Sequence, residues 1–188
     1  MDHLISALQA KYDVTQDWAE GLYCKITLKL DYKARQLDIT MPSYVKYALH
    51  KFQHPSPTRP HHSPHQWISS NYGSTAPQLV HPTDDYPELN PYKSRNSQQV
   101  VGIFLYPSHA VDAILLVTMN TISAEQSKIT QEKAKKVMQF LNYVVTHPEA
   151  ITCYHSSGIN LHMPSDASFF SATGYKSRSG GYHYLSEP

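Results

Sequence analysis

Leu22-Tyr23-Cys24-Lys25-Ile26-Thr27-Leu28-Lys29-Leu30, then Asp31-Tyr32-Lys33-Ala34-Arg35, then Gln36-Leu37-Asp38-Ile39-Thr40-Met41 is the stretch on which the fold class turns. In its first part Cys24, Ile26, Leu28 and Leu30 alternate with Lys25, Thr27 and Lys29, the period of a half-buried strand. In its last part Leu37, Ile39 and Met41 repeat that period. The five residues between them turn the chain, so the spacing predicts a β-hairpin.

Working outward, the periodicity changes from two to 3.6. Pro42 can open a helix because its missing N–H is unneeded in the first turn, and Val45, Ala48, Leu49 and Phe52 follow at i, i+3, i+4, i+7 opposite Lys46, His50 and Lys51. On the other side, Leu4, Ile5, Leu8 and Tyr12 predict an opening amphipathic helix that ends before Asp13.

From Gln53 to Gln98 neither period survives. The run His54-Pro55-Ser56-Pro57-Thr58-Arg59-Pro60-His61-His62-Ser63-Pro64-His65 reads as an irregular connector, partly extended by its prolines. A connector of this length either packs over the surface as an extended loop or joins two sub-units. Helical spacing resumes at Val100, Val101, Phe104 and Leu105 and continues through Ala110, Val111, Ile114, Leu115, Thr118 and Ile122. An interior proline removes a hydrogen bond and clashes with the preceding turn, at about 3 kcal/mol, so a kink or break is expected at Pro107. Ala134, Val137, Met138, Leu141, Val144 and Val145 predict a third long helix, ended by His147-Pro148. Closing strands near residues 151–154, 159–163 and 181–185 are expected to form a small sheet. The class is therefore α+β.

Composition narrows the function less than the pattern narrows the fold. The chain has 188 residues, 40% of them hydrophobic, enough for one ordinary domain or two small ones. A net charge of +1 means that any nucleic-acid contact must come from local patches. Cys24 and Cys153, each in an apolar strand-like stretch, are expected to be buried reduced thiols and not a disulfide or zinc pair. The N-terminus lacks the basic-then-apolar layout of a signal peptide and no apolar run spans a bilayer, which leads to the expectation of an intracellular protein, cytoplasmic or nuclear, with no membrane partner.

Three constellations could carry chemistry. Lys25, Lys29, Lys33, Arg35, Lys46, Lys51 and Arg59 stand against only Asp31 and Asp38, and Lys128 to Lys136 form a second cluster against Glu132. Such patches can neutralise phosphates and release counterions, although solvated strand and helix faces look the same in a sequence. His61, His62 and His65 could hold a transition metal. No Cys or acidic residue joins them at zinc-site spacing, however, and adjacent histidines between prolines are poorly placed to converge on one ion. Asp166 ends a strand and stands alone, since two-metal phosphate chemistry needs several carboxylates and the segment beyond residue 150 adds only Glu187. An aspartate at a strand end can equally cap the following turn. The fourteen tyrosines form no stacking motif and read as core and interface residues.

In their order, these segments resemble the C-terminal part of a copia-type LTR retrotransposon polyprotein, from the end of the reverse transcriptase into the start of ribonuclease H. Leu22 to Leu28 and Leu37 to Val45, with Leu49 and Phe52, are similar to the primer-gripping hairpin and the helix entering the thumb. Gln99-Val100-Val101-Gly102-Ile103-Phe104-Leu105-Tyr106 resembles the family's helix after the linker, and Lys135-Lys136-Val137-Met138-Gln139-Phe140-Leu141 the long helix before ribonuclease H. Ser165-Asp166-Ala167-Ser168 resembles the first ribonuclease H strand end, and Ser177-Arg178-Ser179-Gly180-Gly181-Tyr182 the return strand.

The resemblance implies residues 1–53 as the palm's end with a primer-grip-like hairpin and thumb-like helix, 54–98 as connector, 99–150 as a helical connection, and 151–188 as truncated ribonuclease H-like strands. It also implies weak, sequence-independent binding of an RNA/DNA template–primer through Lys25, Lys29, Lys46 and Lys51, with Lys133 and Lys136 second. The polymerase's aspartate pair would lie upstream of Met1, and Asp84-Asp85 sits in the connector without the family's preceding Tyr. Magnesium serves the parent family; this chain alone is expected to hold no cofactor, and Asp166 is expected to be an incomplete or vestigial ligand. Pro107 falls where the family continues its helix, which reads as relaxed constraint. The alternatives are an independent or degenerate reading-frame product acting as a protein-interaction module, self-associating through surfaces left exposed, and a His-rich metal-binding protein.

Overall fold

The computed structural model describes residues 2–14, 21–66, 86–124, 129–172 and 176–186. Asp84, Asp85, Lys128 and Glu187 lie outside them. The architecture is α+β.

The predicted hairpin forms, but with an additional turn. Leu22–Tyr23 (β1) and Ile26–Asp31 (β2) are separate antiparallel strands, reversed at Cys24 and Lys25 with φ of 50° and 69°. Two consecutive left-handed residues match the right-handed twist of the flanking strands, and an alternation pattern does not report that reversal. β2 then pairs with Gln36–Thr40 (β3), Leu28 facing Ile39 and Leu30 facing Leu37. Asp31 shapes the loop between them: its carboxylate accepts from the Lys33 and Ala34 amides at 2.9 and 2.8 Å, and Arg35 takes the left-handed position at φ 52°.

The helices are Asp2–Gln9 (α1), Pro42–Lys51 (α2), Pro91–Ala110 (α3), Ile114–Ala124 (α4) and Gln131–Thr146 (α5). The last four bury one cluster around Ala48, Val100, Phe104, Met119, Ile122, Phe140 and Val144, with the Phe104 and Phe140 rings edge to face at 5.2 Å. On α5 the buried stripe is Val137, Phe140, Leu141 and Val144, flanked by Tyr143, while Met138, expected inside, is 52% exposed. That helix is capped by Thr130, whose hydroxyl accepts from the Lys133 amide.

Pro107 does not break its helix. α3 runs through it, and the chain turns only at Val111. A proline at position 107 leaves the carbonyl of Ile103 without its usual i+4 donor, and that carbonyl accepts the Tyr44 hydroxyl of α2 at 3.1 Å. Ser108, fully buried, closes its own hydroxyl onto the Phe104 carbonyl. The freed backbone acceptor is thus satisfied from outside the helix, and the proline ring fills core volume. α3 also starts earlier than its apolar spacing indicates: the Asn90 side chain caps the Lys93 amide at 2.9 Å and Pro91 opens the first turn.

The closing strands do not form the expected joint sheet. Ile151–His155 (β4) leaves the others and pairs antiparallel with β3, Ile39 opposite Thr152, giving the order β1-β2-β3-β4. The inner face of that sheet, with Ile26, Leu28, Leu37 and Ile39, packs on Met41, Tyr44, Ala110 and Val111. Thr152 donates its hydroxyl to the Val111 carbonyl where α3 ends. Apolar alternation placed β4 in a strand; its partner was decided by this second core.

Asn160–His162 (β5), Ser165–Ala172 (β6), Lys176–Gly181 (β7) and Tyr184–Ser186 (β8) make one two-stranded ribbon. His162 faces Tyr184 and Ser165 faces Gly181, so both ladders keep one register across the interruption at Met163 and Pro164. Pro164 has no amide to give; its carbonyl accepts from Tyr182 at 3.0 Å. Asp166 therefore sits inside a strand opposite Gly180, and the turn expected at Ala167 and Ser168 is absent because β6 continues to Ala172.

Candidate nucleic-acid interface

The basic residues of the sheet occupy its outward side or its turns. Lys29 alternates with Leu28 and Leu30 and points away from the core opposite Asp38. Lys25 stands on the β1–β2 turn, and Lys33 and Arg35 on the β2–β3 loop, all exposed. None of these four joins an ion pair among the described residues. Lys33 and Arg35 belong to the basic stretch seen in the sequence, but only the loop geometry gathers them at the hairpin end.

The Lys25 turn is braced from behind. Its Cys24 carbonyl accepts the Tyr106 hydroxyl of α3 at 2.6 Å, and the Tyr106 ring packs edge-on against Tyr44 of α2 at 5.6 Å. Tyr44 in turn bonds the Ile103 carbonyl. Burial and the neighbouring Tyr106 and Tyr47 push the Tyr44 hydroxyl above its ordinary pKa, so it remains a proton donor through the neutral range. Two tyrosines and two carbonyls thereby link the lysine turn to α2, the helix that bears Lys46 and Lys51.

These two helix lysines differ. Lys46 reaches Glu149 at 3.7 Å, an exposed pair of small energetic value whose charge is partly neutralised. Lys51 is exposed in the last turn of α2, where a cation also complements the helix dipole. Lys133 and Lys136 lie half-buried on α5, and neither is without a partner. Lys135 pairs with Glu132 at 3.1 Å, a bond that raises the lysine's pKa, and lies 5.7 Å from the centre of the Tyr86 ring. The α5 cluster is thus partly engaged in its own contacts, and of the sheet residues Lys29 acts electrostatically on Asp38.

Both cysteines are exposed, correcting the expectation of buried thiols: Cys24 is in the turn, and Cys153 falls on the outward face of β4. There the Cys153 thiol donates to Asp38, lowering the carboxyl's pKa together with the Gln36 amide at 2.6 Å, while the thiol's own pKa is raised. The tyrosines likewise lie mostly outside; among described residues only Tyr143 is buried.

The magnesium chemistry of the resembled family does not fit the groups around Asp166. Its carboxylate accepts from the Ala167 amide at 2.8 Å, and Ser165, Ala167, Ser179, Gly180, Gly181 and His183 line the shallow groove beside it. Magnesium requires near-octahedral oxygen ligation, and no second carboxylate enters this groove among the described residues. No group of three or more His, Cys, Asp or Glu side chains converges among them. No helix among them is long and apolar enough to cross a membrane.

No family model, curated protein or solved structure matches this chain.

The histidines of the connector do not gather on one another. The segment lies extended against α4 and α5, each residue with its own partner: His54 on Asn142 at 2.8 Å, the His61 amide on the Thr146 hydroxyl, His62 on His147 at 3.2 Å, and His65 on Thr118 at 3.1 Å. His147 went unnoticed in the sequence because its place before Pro148 marked it only as a helix end.

Proposed function

We propose that this chain is a non-catalytic piece of a retroelement reverse transcriptase and ribonuclease H polyprotein, and that it holds an RNA/DNA template–primer by its phosphates. The observation that supports this reading best is the tyrosine brace, which fixes Lys25 relative to the α2 lysines through the continuous helix α3. Rigidly spaced cations on two elements can follow a backbone without reading base edges. Binding is then weak and indifferent to sequence.

The test is an anisotropy titration of primer–template duplex at two salt concentrations. Four phosphate contacts give a log–log salt slope near −3.6, at about −0.9 per contact. Replacing Lys25 and Lys29 by Gln should lower affinity for every sequence alike and flatten the slope by about 2. Lys11 and Lys93, outside the proposed surface, should matter little. Absence of binding at low salt by protein shown folded by circular dichroism would sink the reading. With magnesium or manganese the protein should neither extend a primer nor cut an RNA–DNA hybrid. Metal-dependent turnover that Asp166→Asn abolishes would show that acids elsewhere complete the site.

A second reading, a protein-interaction module, is favoured by the ribbon: Leu161 and Met163 are 59% and 60% exposed, and Ile159, Tyr182 and Leu185 share that exposure. Concentration-dependent self-association without duplex binding would select it.

A further inference from the structure

We propose that His62 and His147 form a two-imidazole site for a divalent transition-metal ion of the zinc, copper or nickel type, and that the ion fastens the connector to the end of α5. His62 Nδ1 and His147 Nε2 lie 3.2 Å apart although the residues are far separated in sequence. A tetrahedral ion at 2.0–2.1 Å from each of two imidazole nitrogens holds those nitrogens about 3.3 Å apart. The backbone therefore already sets the bite of the ion, and only ring rotation is needed.

Both rings are anchored from behind. His147 caps α5, its amide bonding the Tyr143 carbonyl at 2.9 Å, and its ring packs on the Tyr143 ring at 4.8 Å. His62 follows His61, whose amide is tied to the Thr146 hydroxyl at 3.1 Å, so the connector cannot slide along the helix without breaking that bond. The two rings are tilted by 58°, with centroids 5.3 Å apart, and both residues are exposed, which leaves entry and the remaining coordination positions to water.

Without metal, a neutral pair at this distance shares one hydrogen bond, one ring donating N–H and the other accepting. Coordination needs a lone pair on both facing nitrogens. The donor ring must therefore shift its proton to its remote nitrogen, Nε2 of His62 or Nδ1 of His147, with no net proton released. A second proton on the pair would forbid the ion, so binding competes with acid. Asp112 lies close enough to His147 for their charges to interact, while burial, the larger effect, raises the Asp112 carboxyl above its ordinary pKa. Two imidazole nitrogens as the only protein donors select borderline ions over magnesium or calcium, which prefer oxygen.

Zinc chloride titrated calorimetrically into the full chain at neutral pH should give saturable binding of one ion, and magnesium chloride should give none. The site should be lost in both His62→Gln and His147→Gln and retained in His61→Gln and His65→Gln. Copper added to the wild-type protein should broaden the NMR signals of the His62 and His147 rings before those of other histidines, a measurement that needs no variant to fold. Zinc binding that survives His147→Gln would overturn the proposal, since the His61 to His65 run would then suffice. Broadening centred elsewhere, or no zinc binding by the folded wild type, would overturn it equally.

Discussion

Removing the Tyr44 hydroxyl should cost stability only as long as residue 107 is proline. In the native chain the Ile103 carbonyl has lost its helical donor to Pro107 and depends on Tyr44 at 3.1 Å. A net hydrogen bond is worth about 1 kcal/mol, and a deprived, half-buried carbonyl adds a fraction of its desolvation penalty, so Tyr44→Phe should cost about 1–1.5 kcal/mol. Pro107→Ala restores an amide that can donate to the same carbonyl. It also removes two methylenes from a fully buried position, at about 0.8 kcal/mol each, against the roughly 3 kcal/mol relieved by taking proline out of a helix, so this single change should stabilise the fold by about 1.4 kcal/mol. When Tyr44→Phe is combined with Pro107→Ala, the tyrosine change should cost less than about 0.5 kcal/mol, giving a coupling near 1 kcal/mol, beyond the additivity expected of independent sites. Urea unfolding of the four proteins, followed by circular dichroism, measures it. Strictly additive effects would refute the claim that the tyrosine replaces the missing amide. Because the Tyr44 pKa is raised in the fold, its contribution should be complete below 10.0 and fade as pH climbs past the folded value.

Lys25→Gly should stabilise the fold by about 1 kcal/mol, because φ of 69° strains any residue with a Cβ, yet it should weaken duplex binding; thermal melts and anisotropy would then move in opposite directions, and a loss of stability would count against the turn geometry. Cys153→Ala should raise the Asp38 pKa toward 3.8, since the thiol is its strongest stabilising donor. The lowered carboxyl contributes stability above its unfolded pKa, and that contribution is lost as pH falls through the folded value. The variant should therefore lose less on acidification, and an unchanged Asp38 titration by carbon NMR would contradict the bond.

Elements whose apolar residues face a core were readable directly. α2 and the β2–β3 pair follow from Val45, Ala48, Leu28, Leu37 and Ile39 because each element buries one face. The start of α3 was missed because residues 91–99 have almost no apolar stripe; its signal was Asn90-Pro91, a cap and a first-turn proline. Pro107 misled because its cost is offset by a side chain from another element, Tyr44, which no window around residue 107 contains. Basic character was legible, but which lysines remain available was not: Lys46 is drawn to Glu149, and Lys133 and Lys136 to partners of their own. The pairing of His62 with His147 depends on how the connector crosses α5, which is a property of packing and not of spacing.

β3 is an interior strand whose two neighbours arrive at very different times. β2 is in place within a few residues, whereas β4 follows only after residues 41–150 have been made and α2 to α5 lie between. Until those helices draw residue 151 back to the sheet, β3 presents an open edge of unpaired amides and carbonyls beside Leu37 and Ile39. Closing that gap costs loop entropy before any ladder bond offsets it, which makes the sheet the slow step of folding and helix condensation its prerequisite. A nascent chain released before residue 155 would expose a sticky strand even with every helix complete, and a disturbance in the helical core would reach the hairpin first as a failure of this late-arriving edge.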